Sequence, residues 1–197
     1  MRLAAFAIAI AIAVAATSAV AGDPAAARIE GFDTALTSVM KQGPALGPKG
    51  RFHRLEPVVE DAFDLPLMTR FAVGAAWGQM SDADHQALIR AFGRLTAASY
   101  AHNFDRFAGE RFEVDPTVQT RGPDKIVQAH LIPTDRGPVN LTYRMRLSGG
   151  QWKIVDVYYD AISQLTTRRA DFAAPLAAGG AKGLLAHLDQ ASAKLLQ

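Results

Sequence analysis

The stretch WKIVDVYYDAISQLTTRRADF, residues 152–172, gathers Asp156, Tyr158, Tyr159, Asp160, Arg168 and Arg169 at a joint between two elements. Its first half reads as a buried strand and its second half as a helix. An acid with a tyrosine inside an apolar cone can move protons, so Asp156 and Tyr159 are the candidates for catalysis on a small hydrophobic substrate. The same residues have plain structural uses. Asp160 can N-cap the following helix, and Asp156 can pair with Arg144 or Arg146 on the neighbouring strand. The basic pair can be solvated helix face or surface ion pairs. Residue types leave both readings open, because site chemistry depends on geometry.

Other chemistries lack their materials. His53, His85, His102, His130 and His187 show no paired ligand spacing and no H-E-x-x-H, so no metal is expected. There is no G-x-S-x-G elbow and no cysteine nucleophile, and no cofactor is expected. The glycines of GPALGPKG, residues 43–50, suggest a phosphate loop. That reading fails: Pro44 and Pro48 remove backbone donors, no Ser or Thr follows Lys49, and no strand precedes the segment. It is expected to be a loop.

The elements that must position the candidate residues divide into helices followed by strands. Ile29, Phe32, Leu36, Val39 and Met40 lie at helical spacing in residues 25–42. A second stretch carries Phe52, Leu55, Val58, Val59 and Phe63, with Pro57 kinking or resetting it. A third starts at Pro66, a favoured first-turn position, and runs to Trp77. Ser81, with Asp84 at capping-box distance, opens a long helix expected to end at Gly109. The period then changes to two. Strands are expected over residues 111–115, 125–133, 139–148 and 151–159. In the third of these, Val139, Leu141, Tyr143, Met145 and Leu147 face one way, and Asn140, Thr142, Arg144 and Arg146 the other. Gly149 and Gly150 make the hairpin turn to the fourth. Ile162, Leu165, Arg169 and Phe172 start another helix, AAPLAAGG interrupts it, and an amphipathic C-terminal helix over residues 180–196 follows. The fold class is α+β: an antiparallel, meander-like sheet of about four strands with one face covered by helices.

The ends and the composition narrow the function. Residues 1–21 read as a secretory signal peptide, from Arg2 through an apolar run to Ala19-Val20-Ala21, with cleavage expected before Gly22. No cysteine follows, so neither lipid attachment nor disulfides are expected, and core packing alone must hold the fold. About 175 residues remain as a single domain, 22–197, enough for a sizeable core. The balance of 21 basic to 19 acidic residues, with no basic cluster among aromatics, argues against nucleic acid as partner. The 49% apolar content suits either a filled core or a helix layer enclosing an apolar cavity for a greasy ligand.

Two segments carry a resemblance. FDLPLMTRFAVGAAWGQMSDADHQALIRAFGRLTAASYAHNF and VNLTYRMRLSGGQWKIVDVYYDAISQLTTRRADFAAPL resemble the MlaC family of periplasmic lipid-binding, or toluene-tolerance, proteins over residues 28–176. The most specific part is carried by Tyr143, Arg144, Arg146, Gly150, Trp152, Asp156, Val157, Ile162, Ser163, Arg169 and Phe172. DLPLMTRFAVG and SQLTTRRADF are most similar to the HpnM branch, associated with hopanoid gene clusters. Ala161 stands where a glycine is usual, and Arg168 where a tyrosine often stands.

The resemblance implies an NTF2-like cone around a lipid-tail cavity. It also implies a soluble periplasmic carrier, expected to be a monomer, moving phospholipid or hopanoid between inner- and outer-membrane machinery. Helix residues expected to line the pocket are Phe63, Met68, Phe71, Trp77, Tyr100 and Phe104; sheet residues are Leu141, Tyr143, Met145, Val155, Val157 and Tyr159, with Ile162 beside them. Arg168 and Arg169 are expected on the following helix, available to a head group or a docking partner. An exported adaptor with a filled core is the third reading.

Overall fold

The computed structural model describes residues 22–197; the expected signal peptide lies outside them. Asp23 caps α1, Pro24–Ala62, by accepting from the Ala25 amide at 2.8 Å, with Pro24 in the first turn. The expected stripe of Ile29, Phe32, Leu36, Val39 and Met40 is buried. The expected loop at residues 43–50 is instead a kink inside this helix, where Gly47 leaves helical geometry at φ 62°, ψ 176°. A residue before proline is pushed out of the α region, and Gly47 before Pro48 takes the left-handed φ at little cost. The kink is fastened from outside: the buried Arg51 donates to the Gly43 carbonyl at 3.0 Å and to the Ala101 carbonyl at 2.7 Å. Long-range anchoring therefore keeps helical a segment whose prolines and glycines read locally as a break.

At the end of α1 the chain meets the sheet, with the Asp64 amide donating to the Ile154 carbonyl at 2.9 Å. Asp64 then caps α2, Leu65–Val73, through the Leu67 amide. The third helical stretch does not run on to Trp77 as expected; α2 stops at Gly74 and a 3₁₀ turn, Gly74–Gln79, carries Trp77. Helix α3, Asp82–Asn103, begins with the expected Ser81–Asp84 capping box. It ends at Asn103, before the expected Gly109, and Phe104 leaves helical geometry.

The sheet is antiparallel. It comprises β1 (Arg111–Val114), β2 (Gln119–Arg121), β3 (Asp124–Ile132), β4 (Val139–Ser148), β5 (Gln151–Tyr159) and β6 (Ile162–Ser163). The order is β1-β3-β4-β5-β6, with β2 also pairing with β3. The four expected strands are present, and the short β2 and β6 are additional. On β4 the expected alternation holds from Val139 to Met145: Val139, Leu141, Tyr143 and Met145 are buried against the helices, whereas Leu147, expected with them, is 55% exposed near the hairpin end of the strand. On the other face Arg144 and Arg146 do not pair with Asp156. Both bind Asp124, at 2.6 Å each, a buried acid that closes the opposite side of the sheet. Burial alone would raise the Asp124 carboxyl, but the hydrogen bonds and charges of Arg146 and Arg144 hold it below the usual carboxylate range.

Between β5 and β6 sits a two-residue turn in which Asp160 (φ 45°) and Ala161 (φ 68°) are both left-handed, the geometry of a type I′ hairpin. Asp160 is therefore a turn residue and not the expected N-cap. Ser163 caps α4, Gln164–Leu195, by accepting from the Thr166 amide at 3.0 Å. The hairpin also displaces Ile162 from the helix onto β6. A left-handed alanine is strained, so Ala161→Gly is expected to stabilise the chain by about 0.5–1 kcal/mol, after the greater unfolded-state freedom of glycine is subtracted. Urea denaturation monitored by circular dichroism checks this; an unchanged or lowered midpoint would contradict it. In α4 the expected interruption, AAPLAAGG, reduces to a bend at Gly179 and Gly180, and the C-terminal helix continues from it.

Candidate functional site

Between the helix layer and the covered face of the sheet lies a cavity of about 500 Å³. Its helix wall includes Phe63, where α1 ends, Met68 on α2, and Tyr100 and Phe104 at the end of α3. Its sheet wall includes Leu141 and Tyr143 on β4 and Val157 and Tyr159 on β5. These eight are among the expected lining residues. The aromatic rings lock together along one wall. Phe63 meets Tyr100 edge-on with centroids 5.9 Å apart, Tyr100 stacks on Phe104 at 5.8 Å, and Phe104 lies 6.1 Å from Phe112. Contacts of this kind hold large apolar surfaces in fixed positions, which keeps the wall from collapsing inward.

Five expected lining residues lie elsewhere. Phe71 is on the outer side of α2, under the Arg169 guanidinium at 5.3 Å. Trp77, on the 3₁₀ turn, stacks on His85 at 3.9 Å. Ile162, on β6, is 62% exposed. Met145 is fully buried in the packed core, beyond the end of the cavity lining. Val155 is displaced by a bulge: the register passes from Arg144↔Asp156 to Met145↔Ile154, so Val155 is the extra residue and Ile154 takes the inward place beside Met145. The apolar positions that the sequence pattern missed include Phe112 on β1 and Leu131 on β3, strands whose inward parity is readable, and Leu165 on α4.

The acid and the phenol of the catalytic reading are not brought together here. Asp156 is buried, and its two oxygens accept from Ser163 Oγ at 2.6 Å and from the Leu165 amide at 3.0 Å. It fastens the start of α4. Tyr159, three positions on, faces the cavity mouth. Arg168 and Arg169 are likewise separated. Arg168 lines the cavity and donates to Ser99 Oγ at 3.3 Å, whereas Arg169 lies outside over Phe71. The exposed lining residues Asn103, Arg136, Tyr159 and Gln164 mark the mouth.

Behind the helix wall, Asp33 on α1 is buried and neither carboxylate oxygen has a hydrogen-bond partner. Burial, with a smaller contribution from Glu30, pushes its pKa up to about 7. Burial first, and the charge of Asp33 second, raise the phenols of Tyr100 and Tyr143 above their ordinary range, so both line the cavity as neutral groups. Among the described residues no cluster of three His, Cys, Asp or Glu side chains is placed to hold a metal ion.

The MlaC protein family profile matches residues 31–190. A solved structure described as the phospholipid-binding protein from Ralstonia solanacearum in complex with a phospholipid matches with a TM-score of 0.77 at 22% sequence identity, covering 89% of this chain and 100% of that one. At that identity the likeness is one of fold, an α+β architecture of helices on an open antiparallel sheet.

Proposed function

The chain belongs to the MlaC family, and on that premise we propose that it is a carrier that holds lipid tails between its helices and its sheet. One observation supports this most: a cavity of about 500 Å³ whose walls are built from both layers and whose exposed lining residues gather at one mouth. A filled core would have closed this space with the same side chains. The lipid-contacting residues are Phe63, Met68, Tyr100, Phe104, Leu141, Tyr143, Val157 and Tyr159, joined by Phe112, Leu131 and Leu165. The neighbour of like fold is described as holding a phospholipid, and the DLPLMTRFAVG stretch favours the hopanoid-associated HpnM branch. Either lipid has tails or rings that the cavity chemistry accepts.

The reading extends to place and partners. Among the described residues no helix is long and apolar enough to cross a membrane. With residues 1–21 removed as a signal peptide, the chain acts in the periplasm as a monomer, receiving and delivering lipid at membrane-bound transport machinery. A catalytic role draws no support from the cavity, because the Asp156 carboxylate is committed to α4. Native mass spectrometry of the purified mature chain, followed by solvent extraction, tests the proposal. The expected result is a bound lipid of defined mass released on extraction. A chain that is empty as purified, and stays empty after incubation with lipid vesicles, would overturn it.

A further inference from the structure

We infer that carriage is coupled to a proton on Asp33: the chain loads with this carboxyl protonated, and its hold on the tail weakens as the carboxyl ionises. The inference rests on the lipid-carrier reading and adds a means of control to the same cavity. Asp33 stands close behind both walls. It lies on α1 one turn before Leu36, which lines the cavity. Its neighbour Phe32 meets the lining residues Tyr100 and Phe63 edge-on, at 5.2 and 5.5 Å. Its charge is felt by Tyr100 on α3 and Tyr143 on β4, two lining phenols that also act on each other. Yet Asp33 is only 4% exposed, and neither of its oxygens has a hydrogen-bond partner.

No cation offsets this acid. The charge that acts on it is that of Glu30, one turn earlier, which opposes ionisation. The charges on the strands packed against α1 are engaged elsewhere: Lys153 of β5 with Asp61, Lys125 of β3 with Asp23, and Arg111 of β1 with Glu113. Arg51 on α1 is committed to the Gly43 and Ala101 carbonyls. Tyr100 and Tyr143 stay neutral, so Asp33 is the group that titrates. A buried carboxylate needs water or donors. Beyond Leu36, Tyr100 and Tyr143 the cavity supplies that water when it is empty, and a bound tail expels it. The loaded chain therefore keeps a proton that the empty chain, titrating at about 7, gives up. By reciprocity, ionisation of Asp33 weakens tail binding by the same factor that the tail weakens ionisation. Affinity is thus level below about pH 6 and falls above about pH 7, by at most about tenfold per pH unit for one proton.

The test is partition of isotope-labelled phosphatidylcholine between the full mature chain and vesicles of the same lipid, from about pH 5.5 to about pH 8.5. The head group of this probe keeps one charge state over that range, and circular dichroism confirms at each pH that the chain is folded. The wild-type chain is expected to hold lipid about tenfold or more weakly at about pH 8.5 than at about pH 5.5. Asp33→Asn cannot ionise and should show no such fall. Should that variant not fold, a proton count on the wild-type chain decides alone. Calorimetry of loading in buffers of different ionisation heat should find uptake approaching one proton per lipid at about pH 8 and none at about pH 5.5. A wild-type affinity that does not change with pH, loading without proton uptake, or an Asp33→Asn chain that loses lipid over the same range would overturn the inference and leave lipid carriage intact. A folded chain that takes up no lipid at any pH would overturn both.

Discussion

Val157→Asp is expected to empty the cavity while leaving the chain folded. Val157 is half-buried on the sheet wall, so in the absence of ligand a carboxylate there faces a space that water can fill. With a tail in place the same carboxylate would be desolvated and unpaired. That penalty is several kcal/mol, and each 1.4 kcal/mol lowers affinity tenfold, so affinity should fall by about a hundredfold or more. The attraction it opposes is tail burial, about 0.8 kcal/mol per methylene, which no specific polar clamp needs to supplement. Met145→Glu is the informative contrast. Met145 is fully buried away from the cavity, so its charge has no water to meet, and that variant should fail to fold. Circular dichroism separates the two cases before lipid is extracted. A folded Val157→Asp chain carrying lipid at the wild-type level would contradict the account.

The second large effect is a dependence of stability on pH centred on Asp33. Its folded pKa of about 7 lies well above the ordinary 3.8. Below about pH 4 the carboxyl is protonated whether the chain is folded or not, and contributes nothing. Between about 4 and 7 the unfolded chain releases a proton that the folded chain retains, so stability falls as pH rises; above about 7 the loss is complete. A difference of about 3 pH units corresponds to about 4 kcal/mol. Asp33→Asn cannot ionise and should escape the loss. Urea denaturation of both chains should show Asp33→Asn more stable by a few kcal/mol at pH 8 and close to wild type at pH 4. A difference that is the same at both pH values would show that Asp33 is not held protonated by burial.

Strong local signals were legible in the sequence, and they failed where distant parts of the chain decide. The Ser81–Asp84 box and the alternation along β4 depend on neighbours a few residues apart, and both are present in the structure. Leu141 and Tyr143 were legible as lining residues for the same reason. The kink at Gly47 was not, because Arg51 reaching Ala101 is a contact between helices. Val155 was misplaced because β5 is apolar on both faces, so one extra residue leaves no mark on its pattern. The Asp160-Ala161 turn lacks the glycine that would advertise a type I′ hairpin, which concealed β6 and moved the helix cap to Ser163. Trp77 was assigned to the cavity by helical spacing that ends at Gly74. Arg136 lies in a turn, where no periodicity shows which way a side chain faces.

The most direct test of where the tail lies is photo-crosslinking with a phospholipid bearing a diazirine midway along one acyl chain. After loading, illumination and proteolysis, mass spectrometry locates the adducts. The account predicts them on the two facing walls, at Phe63, Tyr100 or Phe104 on the helix side and at Leu141, Tyr143 or Val157 on the sheet side. Adducts confined to the exposed apolar residues outside the cavity, Phe71, Phe107, Leu147 and Ile162, would place the lipid on the surface and contradict it.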